Sequence, residues 1–361
     1  MEDYLAERVN RARTLLVAQQ LDAVIATSSS NFYYFTGVHI EPHERLLAFI
    51  LPRQGDPVIL APKLHEEEFA GISIEARFWS DGQDTTELLG TVLPKEGNIS
   101  VDSSWPSKSL LSLMAHRPNL RFVDSATTLS HLRLRKDARE LCLLREAGVL
   151  TDRVMANVIG DIRVGMTELD VVERLKHFWR QEGVYELAFA PIVGVGANGA
   201  MPHHQPDATR IQPMDTVVID MGGIWKHYLS DMTRTIVVGE VAQPVREAYS
   251  IVKQAQLAGM AAVKPGVPIG AIDVAARTII SDAGYGRYFN NRTGHGVGME
   301  IHEEPYAYGE NATVLEEGMV FSVEPGIYIP GGFGIRIEDV VIVTEDGCES
   351  MYQFTKELLT V

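Results

Sequence analysis

Five side chains able to bind a metal ion, Asp220, Asp231, His295, Glu324 and Glu338, fall in the last two-fifths of the chain, each in an unusual local setting. Four carboxylates and one imidazole suit a pair of divalent cations, because four negative charges balance most of the charge of two metal ions. A hydroxide bridging the two cations would then serve as nucleophile, which is the chemistry of a hydrolase.

The settings sharpen the selection. The run Thr216-Val-Val-Ile-Asp-Met-Gly-Gly223 reads as a strand entering a Gly-Gly turn, and the segment 227–238 returns as its partner. Such a hairpin brings Asp220 and Asp231 to one face, since residues two apart in a strand share a side. Aspartate is a poor strand former, and burying one among valines and isoleucines costs free energy unless it has a partner. The plainer alternative is a pair of surface aspartates on an edge hairpin. Glu324 ends the apolar run that starts at Gly318 and precedes Pro325-Gly326, which forces a turn. In the strand expected over 333–344, Arg336 and Glu338 share one face, opposite Ile335 and Ile337, while Asp339 points away. Glu338 is therefore the better ligand of the two acids, with a solvated Arg–Glu face as the alternative.

Gly294-His-Gly-Val-Gly-Met-Glu-Ile-His302 surrounds its first histidine with glycines, which permit close backbone approach. His203 and His204 stand in a non-helical loop between Pro202 and Pro206. The run Gly194-Val-Gly-Ala-Asn-Gly199 matches a dinucleotide-binding fingerprint, but that fingerprint must open a helix, and two prolines follow with no helical pattern. The dinucleotide reading is rejected.

The elements that position these residues follow from periodicity. Over the first ~128 residues, helix signals at 4–20 and 63–70 alternate with strand signals at 22–27, 46–51 and 97–102, the pattern of a small α/β domain. The Arg/Lys-dense run 131–136 marks a boundary, giving an N-terminal domain over 1–130 and a catalytic domain over 131–361. Beyond it, apolar residues from Leu141 to Met155 recur at three- and four-residue steps, and Thr167 with Asp170 forms a capping box opening a second helix that stops at Gly183. Pro244 and Pro265-Gly266 bracket a third helix, and 268–283 gives a fourth. With strands at 214–221, 227–238, 318–324 and 333–344, the second domain is helices on a largely antiparallel sheet. Gly165–Arg174 faintly echoes Gly266–Arg277, which is compatible with a duplicated helix unit or with two similar helix starts.

A chain of 361 residues with 45% apolar content can bury two cores. Its net charge of -16 argues against nucleic acid or an anionic membrane as partner. No apolar stretch reaches the ~20 residues of a membrane span, and two cysteines make no disulfide framework, so a cytoplasmic protein is expected.

The segments Pro202-His203, Val218-Ile-Asp220, His227–Asp231 with Thr233-Arg-Thr235, Gly294–Gly298 with Ile301-His-Glu303, Glu324–Tyr328 and Gly334–Asp339 together resemble the pita-bread metallopeptidases, in the prolidase and Xaa-Pro aminopeptidase branch. The match covers nearly the whole chain, since Asn31–Gly37 is similar to the signature of that family's creatinase-like α/β N-terminal domain. The resemblance implies an α/β chain with an α+β catalytic domain of pita-bread type. It implies that Asp231 and Glu338 bridge two metals, Asp220 completing one and His295 with Glu324 the other. Glu324 would also shuttle a proton to the leaving nitrogen, His203 and His302 would stabilise the oxyanion, and Arg336 would bind the substrate carboxylate or steady the site. Oxygen-rich ligation favours Mn²⁺, and the imidazole also admits Co²⁺ or Zn²⁺. The expected reaction is hydrolysis of Xaa-Pro dipeptides by a homodimer in which His39, on the loop after Gly37, reaches the neighbouring subunit's site or is a plain surface residue. An Xaa-Pro aminopeptidase acting on longer peptides is the alternative, and a non-catalytic scaffold the remote one.

Overall fold

Leu5, Val9, Ala12 and Leu16 recur at three- and four-residue steps and are buried along one face of α1 (Asp3–Ala18). The computed structural model describes residues 3–361, which divide into two compact units between Arg133 and Leu134. In the first unit follow β1 (Ala23–Ala26), α2 (Ser29–Thr36), β2 (Ala48–Pro52), β3 (Val58–Pro62), β4 (Glu75–Trp79), α3 (Thr85–Val92), β5 (Gly97–Val101), α4 (Ser107–His116), β6 (Leu120–Asp124) and α5 (Leu129–Leu134). The six strands form one mixed sheet in the order β4-β3-β2-β1-β5-β6, with β1 parallel to β5 and antiparallel to β2. The segment near 63–70 is a 3₁₀ helix over Lys63–Phe69. The strands β3, β4 and β6 lie outside the expected ones; β3 carries an apolar run, Val58 to Ala61, as clear as that of β1, whereas β4 alternates exposed and half-buried residues on the sheet edge and reads as loop.

The second unit opens with α6 (Ala138–Asp161), started by a capping box between Asp137 and Glu140, and α7 (Glu168–Gln181), started by the expected one between Thr167 and Asp170. Then come β7 (Ile192–Val195), β8 (Thr216–Met221), β9 (Ile224–Trp225), β10 (Tyr228–Leu229), β11 (Met232–Val237), α8 (Gln243–Ala261), α9 (Gly270–Asp282), β12 (Gly294–Gly296), β13 (Glu303–Ala307), β14 (Val320–Val323), β15 (Gly326–Tyr328), β16 (Gly334–Arg336), β17 (Asp339–Val343) and β18 (Cys348–Ser350). All strand pairs here are antiparallel, in sheets ordered β11-β8-β7 and β13-β12-β14-β17-β18 with two short ribbons.

Three local expectations are corrected, and the first is the single strand expected over 227–238, which is two: β10 in a ribbon with β9, and β11 in the sheet with β8 and β7. The hairpin after Asp220 turns at Lys226-His227, both at positive φ, and not at Gly222-Gly223. Two consecutive left-handed residues are what a type I′ hairpin turn requires, so local side-chain preference yields to the strand pairing on either side. Gly222 is needed for packing instead: a Cβ there would overlap the Ser230 carbonyl oxygen. The single strand expected over 333–344 is two strands, β16 and β17, in different sheets. At the break the Glu338 amide donates to the Thr233 carbonyl (3.1 Å), so this stretch crosses β11 instead of continuing either ladder.

The faint echo in the sequence has a structural counterpart. Gly165 and Gly266, both at positive φ, precede α7 and α9. Gly165 donates to Ile211 and Ile211 back to Met166, while Gly266 donates to Leu315 and Leu315 back to Val267. The strand order β7-β8-β11 is repeated as β12-β14-β17. Asp220 near the end of β8 and Asp231 just before β11 therefore have counterparts in Glu324 just after β14 and Glu338 just before β17.

Candidate metal centre and active site

Cross-strand register explains why the acids converge. Thr233 lies directly opposite Asp220 in the β8–β11 ladder, and Asp231, two residues before Thr233, falls on the same side. In the second half of the repeat Glu324 and Glu338 flank the last β14–β17 pair, Val323 with Asp339, and β12 on the other side of β14 brings His295 against Glu324 and Asp231. These five residues, together with Arg336, His203 and His302, line one cavity of about 720 Å³. Ligand-capable atoms of Asp231, His295 and Glu338 lie within 4.8 Å of one another. Asp339 is turned away into a buried cluster with Arg234 (2.8 Å) and Lys356 (2.5 Å).

His295 donates through Nδ1 to the Gly296 carbonyl oxygen (3.1 Å), which leaves Nε2 facing the carboxylates, 3.3 Å from Glu324 and 3.6 Å from Asp231. A ring nitrogen fixed in that tautomer presents its lone pair, the arrangement used by metal-binding histidines. Ser322 links the two ligands, accepting from the His295 amide (3.1 Å) and donating to Glu324 (3.2 Å). Gly294 is required because a Cβ there would overlap the Ser322 carbonyl oxygen. The Thr233 hydroxyl donates to Glu338 (2.6 Å), and the Tyr352 hydroxyl braces Asp231 by donating to its carbonyl (2.6 Å).

Arg336 is buried and its guanidinium makes four hydrogen bonds, to Asp220 (2.6 Å), the Thr233 hydroxyl (2.9 Å), the Pro202 carbonyl (3.2 Å) and the Tyr328 hydroxyl (3.2 Å). Of the two roles expected for it, this geometry favours steadying the site over holding a substrate carboxylate. His203 and His204 both border the cavity but differ in setting: His203 is exposed, whereas His204 is buried with Nε2 on Glu168. The His302 ring packs edge-on against His295, with centroids 4.2 Å apart. His39 belongs to the N-terminal unit, 3.7 Å from Glu41. Residues that reasoning from sequence did not single out are Tyr328, Ser322 and Tyr352, which act as braces, and Phe189, Pro191, Ile192 and Arg292, which line the cavity. Ser322, Tyr328 and Arg292 lie close to site residues in sequence, but serine, tyrosine and arginine at those positions carry no ligand chemistry of their own, and Tyr352 and Phe189 reach the site only through the fold.

The electrostatics fit bound cations. Burial, then the neighbouring carboxylates, push Asp231 and Glu338 well above their ordinary values. Burial also raises Asp220, although Arg336 offsets part of the effect. For Glu324, burial pulls upward, but in the metal-free chain a protonated His295, donating through Nε2, prevails and holds it below its usual range. Burial together with His295 and Arg292 lowers His302 to about 4. Asp220 Oδ1 is buried with no hydrogen-bond partner among the described residues. An orphaned carboxylate oxygen, a directed imidazole lone pair and crowded acids balanced by one contacting arginine are what a site for divalent cations needs.

The signs give a test. Three carboxylates with raised values hold protons in the folded chain that the unfolded chain releases, so their contribution is present below the ordinary carboxylate range and lost as pH rises through the raised values. Glu324 has the opposite sign, one group against three. Cations substitute for those protons, so the rise in Tm on adding Mn²⁺ to EDTA-treated protein is expected to be larger at pH 8 than at pH 5. Differential scanning fluorimetry checks this, and an increment that is flat or shrinks with pH would contradict it.

The fold and this centre define a metal-dependent hydrolase, and comparison with known proteins gives the family. Residues 142–345 match the model of metallopeptidase family M24, and residues 8–135 match the creatinase/prolidase N-terminal domain. An uncharacterized peptidase of Staphylococcus aureus is 37% identical over 340 residues, covering 94% of this chain and 96% of that protein. A recombinant prolidase from Thermococcus sibiricus is 34% identical over the whole of both chains, with a TM-score of 0.94. A dipeptidase from Mycobacterium ulcerans is 37% identical, covering 99% of this chain and 98% of the other, also with a TM-score of 0.94. The chain belongs to metallopeptidase family M24, as a pita-bread catalytic domain preceded by a creatinase-type α/β domain. Among the described residues no helix is long and apolar enough to cross a membrane.

Proposed function

We propose that this peptidase is a dinuclear-metal exopeptidase that hydrolyses the Xaa-Pro bond of dipeptides. The observation that carries the reading is the convergence of Asp220, Asp231, His295, Glu324 and Glu338 with His203 and His302 on one cavity walled by Phe189, Pro191, Ile192 and Ile301. Asp231 and Glu338 would bridge two ions, with Asp220 on one and His295 with Glu324 on the other; oxygen-rich donors favour Mn²⁺, then Co²⁺ or Zn²⁺. Divalent ions held there lower the pKa of water toward neutrality and polarise the scissile carbonyl.

The remaining work falls to the protein. Glu324 takes a proton from the attacking water and passes it to the proline nitrogen as the C–N bond breaks. His302, with its lowered pKa, is a neutral imidazole at pH 7, and with His203 donates to the developing oxyanion. The apolar wall accepts the proline ring, whose nitrogen bears no hydrogen and suits few peptidases that grip an extended N–H. Arg336 is committed to Asp220, so the cation facing the terminal carboxylate is Arg292, which lines the same cavity. The relatives named as a prolidase and a dipeptidase support dipeptides over longer substrates. His39 as a contact to a partner subunit's substrate, within a homodimer, rests on the resemblance alone.

Apo protein reloaded with single metals and assayed on Xaa-Pro dipeptides and Xaa-Pro-Yaa tripeptides tests the reading. Dipeptide kcat/KM is expected to exceed the tripeptide value at least tenfold, because an extra residue displaces the carboxylate from Arg292; one lost charged contact is worth about 1.5–3 kcal/mol. A clear tripeptide preference would make the protein an Xaa-Pro aminopeptidase. Absence of hydrolysis with fewer than one bound ion per chain would make it a scaffold.

A further inference from the structure

Glu168, the first residue of α7, is fully buried, although its helix start needs only the Thr167–Asp170 capping box. Its carboxylate is saturated by four donors. Oε1 accepts from the Val195 amide (2.8 Å) and the Asn198 side chain (2.9 Å). Oε2 accepts from His204 Nε2 (2.7 Å) and the Asp207 amide (2.8 Å). One carboxylate thus ties together both ends of the stretch 195–207, which has little regular structure of its own and carries His203 to the cavity. Glu168, His204 and Asp207 have the composition of a cation site. Both Glu168 oxygens are already engaged by hydrogen-bond donors, however, so the cluster works as an anchor.

His203 is held on two sides. The preceding carbonyl, that of Pro202, accepts from Arg336, which is itself bound to Asp220 (2.6 Å). The following residue, His204, is locked to Glu168. An exposed side chain on an irregular loop is thereby fixed relative to the carboxylate centre through its two neighbours, which is how a rigid shell keeps a substrate contact within a fraction of an ångström.

We infer that the Glu168–His204 pair is a positioning element that acts on hydrolysis through His203 without touching the substrate. The inference rests on the reading of His203 as a substrate contact, and a double-mutant cycle separates the two. His204→Ala is expected to lower kcat on an Xaa-Pro dipeptide by roughly 10- to 100-fold, the scale of a 1 Å misplacement, with metal stoichiometry unchanged. In the His203→Ala background the same substitution is expected to cost less than about twofold, because the residue it positions is gone. His204→Gln, which retains a donor toward Glu168, should recover most of the activity. His204→Phe, which fills the volume without the donor, serves in place of His204→Ala if that variant does not fold. If His203→Ala alone leaves kcat unchanged, the reading of His203 fails. If His203→Ala is impaired but the His204 loss is nil, or equally large in both backgrounds, the positioning inference is overturned while the reading of His203 stands.

Discussion

Replacing Glu324 with Gln is expected to lower kcat on Xaa-Pro dipeptides by about 10²–10⁴-fold, the range associated with a positioned acid–base group. The side chain is nearly isosteric and still accepts from Ser322 through its carbonyl oxygen, so packing around β14 is preserved. What is lost is the ability to take up and release a proton, and one of the charges that would hold a cation beside His295. In the metal-free chain a protonated His295 keeps Glu324 below its ordinary value; once Nε2 gives its lone pair to a cation, that cation's charge would keep Glu324 ionised, the state needed to accept a proton from water. The measurement is steady-state kinetics on protein with a matched circular dichroism spectrum and measured metal content. Near-normal turnover would remove Glu324 from the mechanism; lost turnover with both ions retained would assign it to proton transfer rather than to metal retention.

Arg336→Met should destabilise the metal-free protein by about 3–5 kcal/mol, the usual cost of breaking a buried ion pair from one side. Asp220 sits 2.6 Å from this guanidinium and its other oxygen has no hydrogen-bond partner among the described residues. Without Arg336 that carboxylate is left uncompensated in the cavity wall, and the Thr233 hydroxyl, the Tyr328 hydroxyl and the Pro202 carbonyl each lose a donor. Lysine is not a conservative replacement, because a single ammonium cannot span four acceptors arranged around a planar fork. Denaturant unfolding in EDTA at pH 7.5 reads the effect, and a loss below about 1 kcal/mol would show that Asp220 is neutralised in another way. Added metal should recover part of the loss, since it supplies Asp220 with a different counter-charge.

Much of the candidate site was legible because its residues violate local expectations. Acids at strand ends among valines, a histidine between glycines and a carboxylate before Pro-Gly have little reason to occur in a plain core. Strand parity chose Glu338 over Asp339, and the structure turns Asp339 into the Arg234–Lys356 cluster. That parity came from a continuous strand that does not exist, since β16 and β17 belong to different sheets. The alternation survived the break because Ile335 and Ile337 are both drawn into the core beneath helices α8 and α9. The hairpin turn was misplaced because glycine pairs are strong local signals, and here they answer packing demands created by other segments, the Ser230 carbonyl at Gly222 and the Trp179 ring of α7 at Gly223.

By itself the sequence determined part of the inventory: two α/β-rich units, the four helices of the catalytic one and four of its strand segments, the five candidate ligands, and the histidines around them. These depend on side-chain type and on periods of two and 3.6 residues, which are local properties. The tertiary structure decided which partners each residue has. It committed Arg336 to Asp220, bound His204 at the cavity wall to Glu168, and revealed the repeated order β7-β8-β11 and β12-β14-β17 behind a barely detectable echo. Those outcomes arise from contacts between segments roughly thirty to more than a hundred residues apart, where burial, register and charge balance are settled together and no local signal can rank the competing pairs.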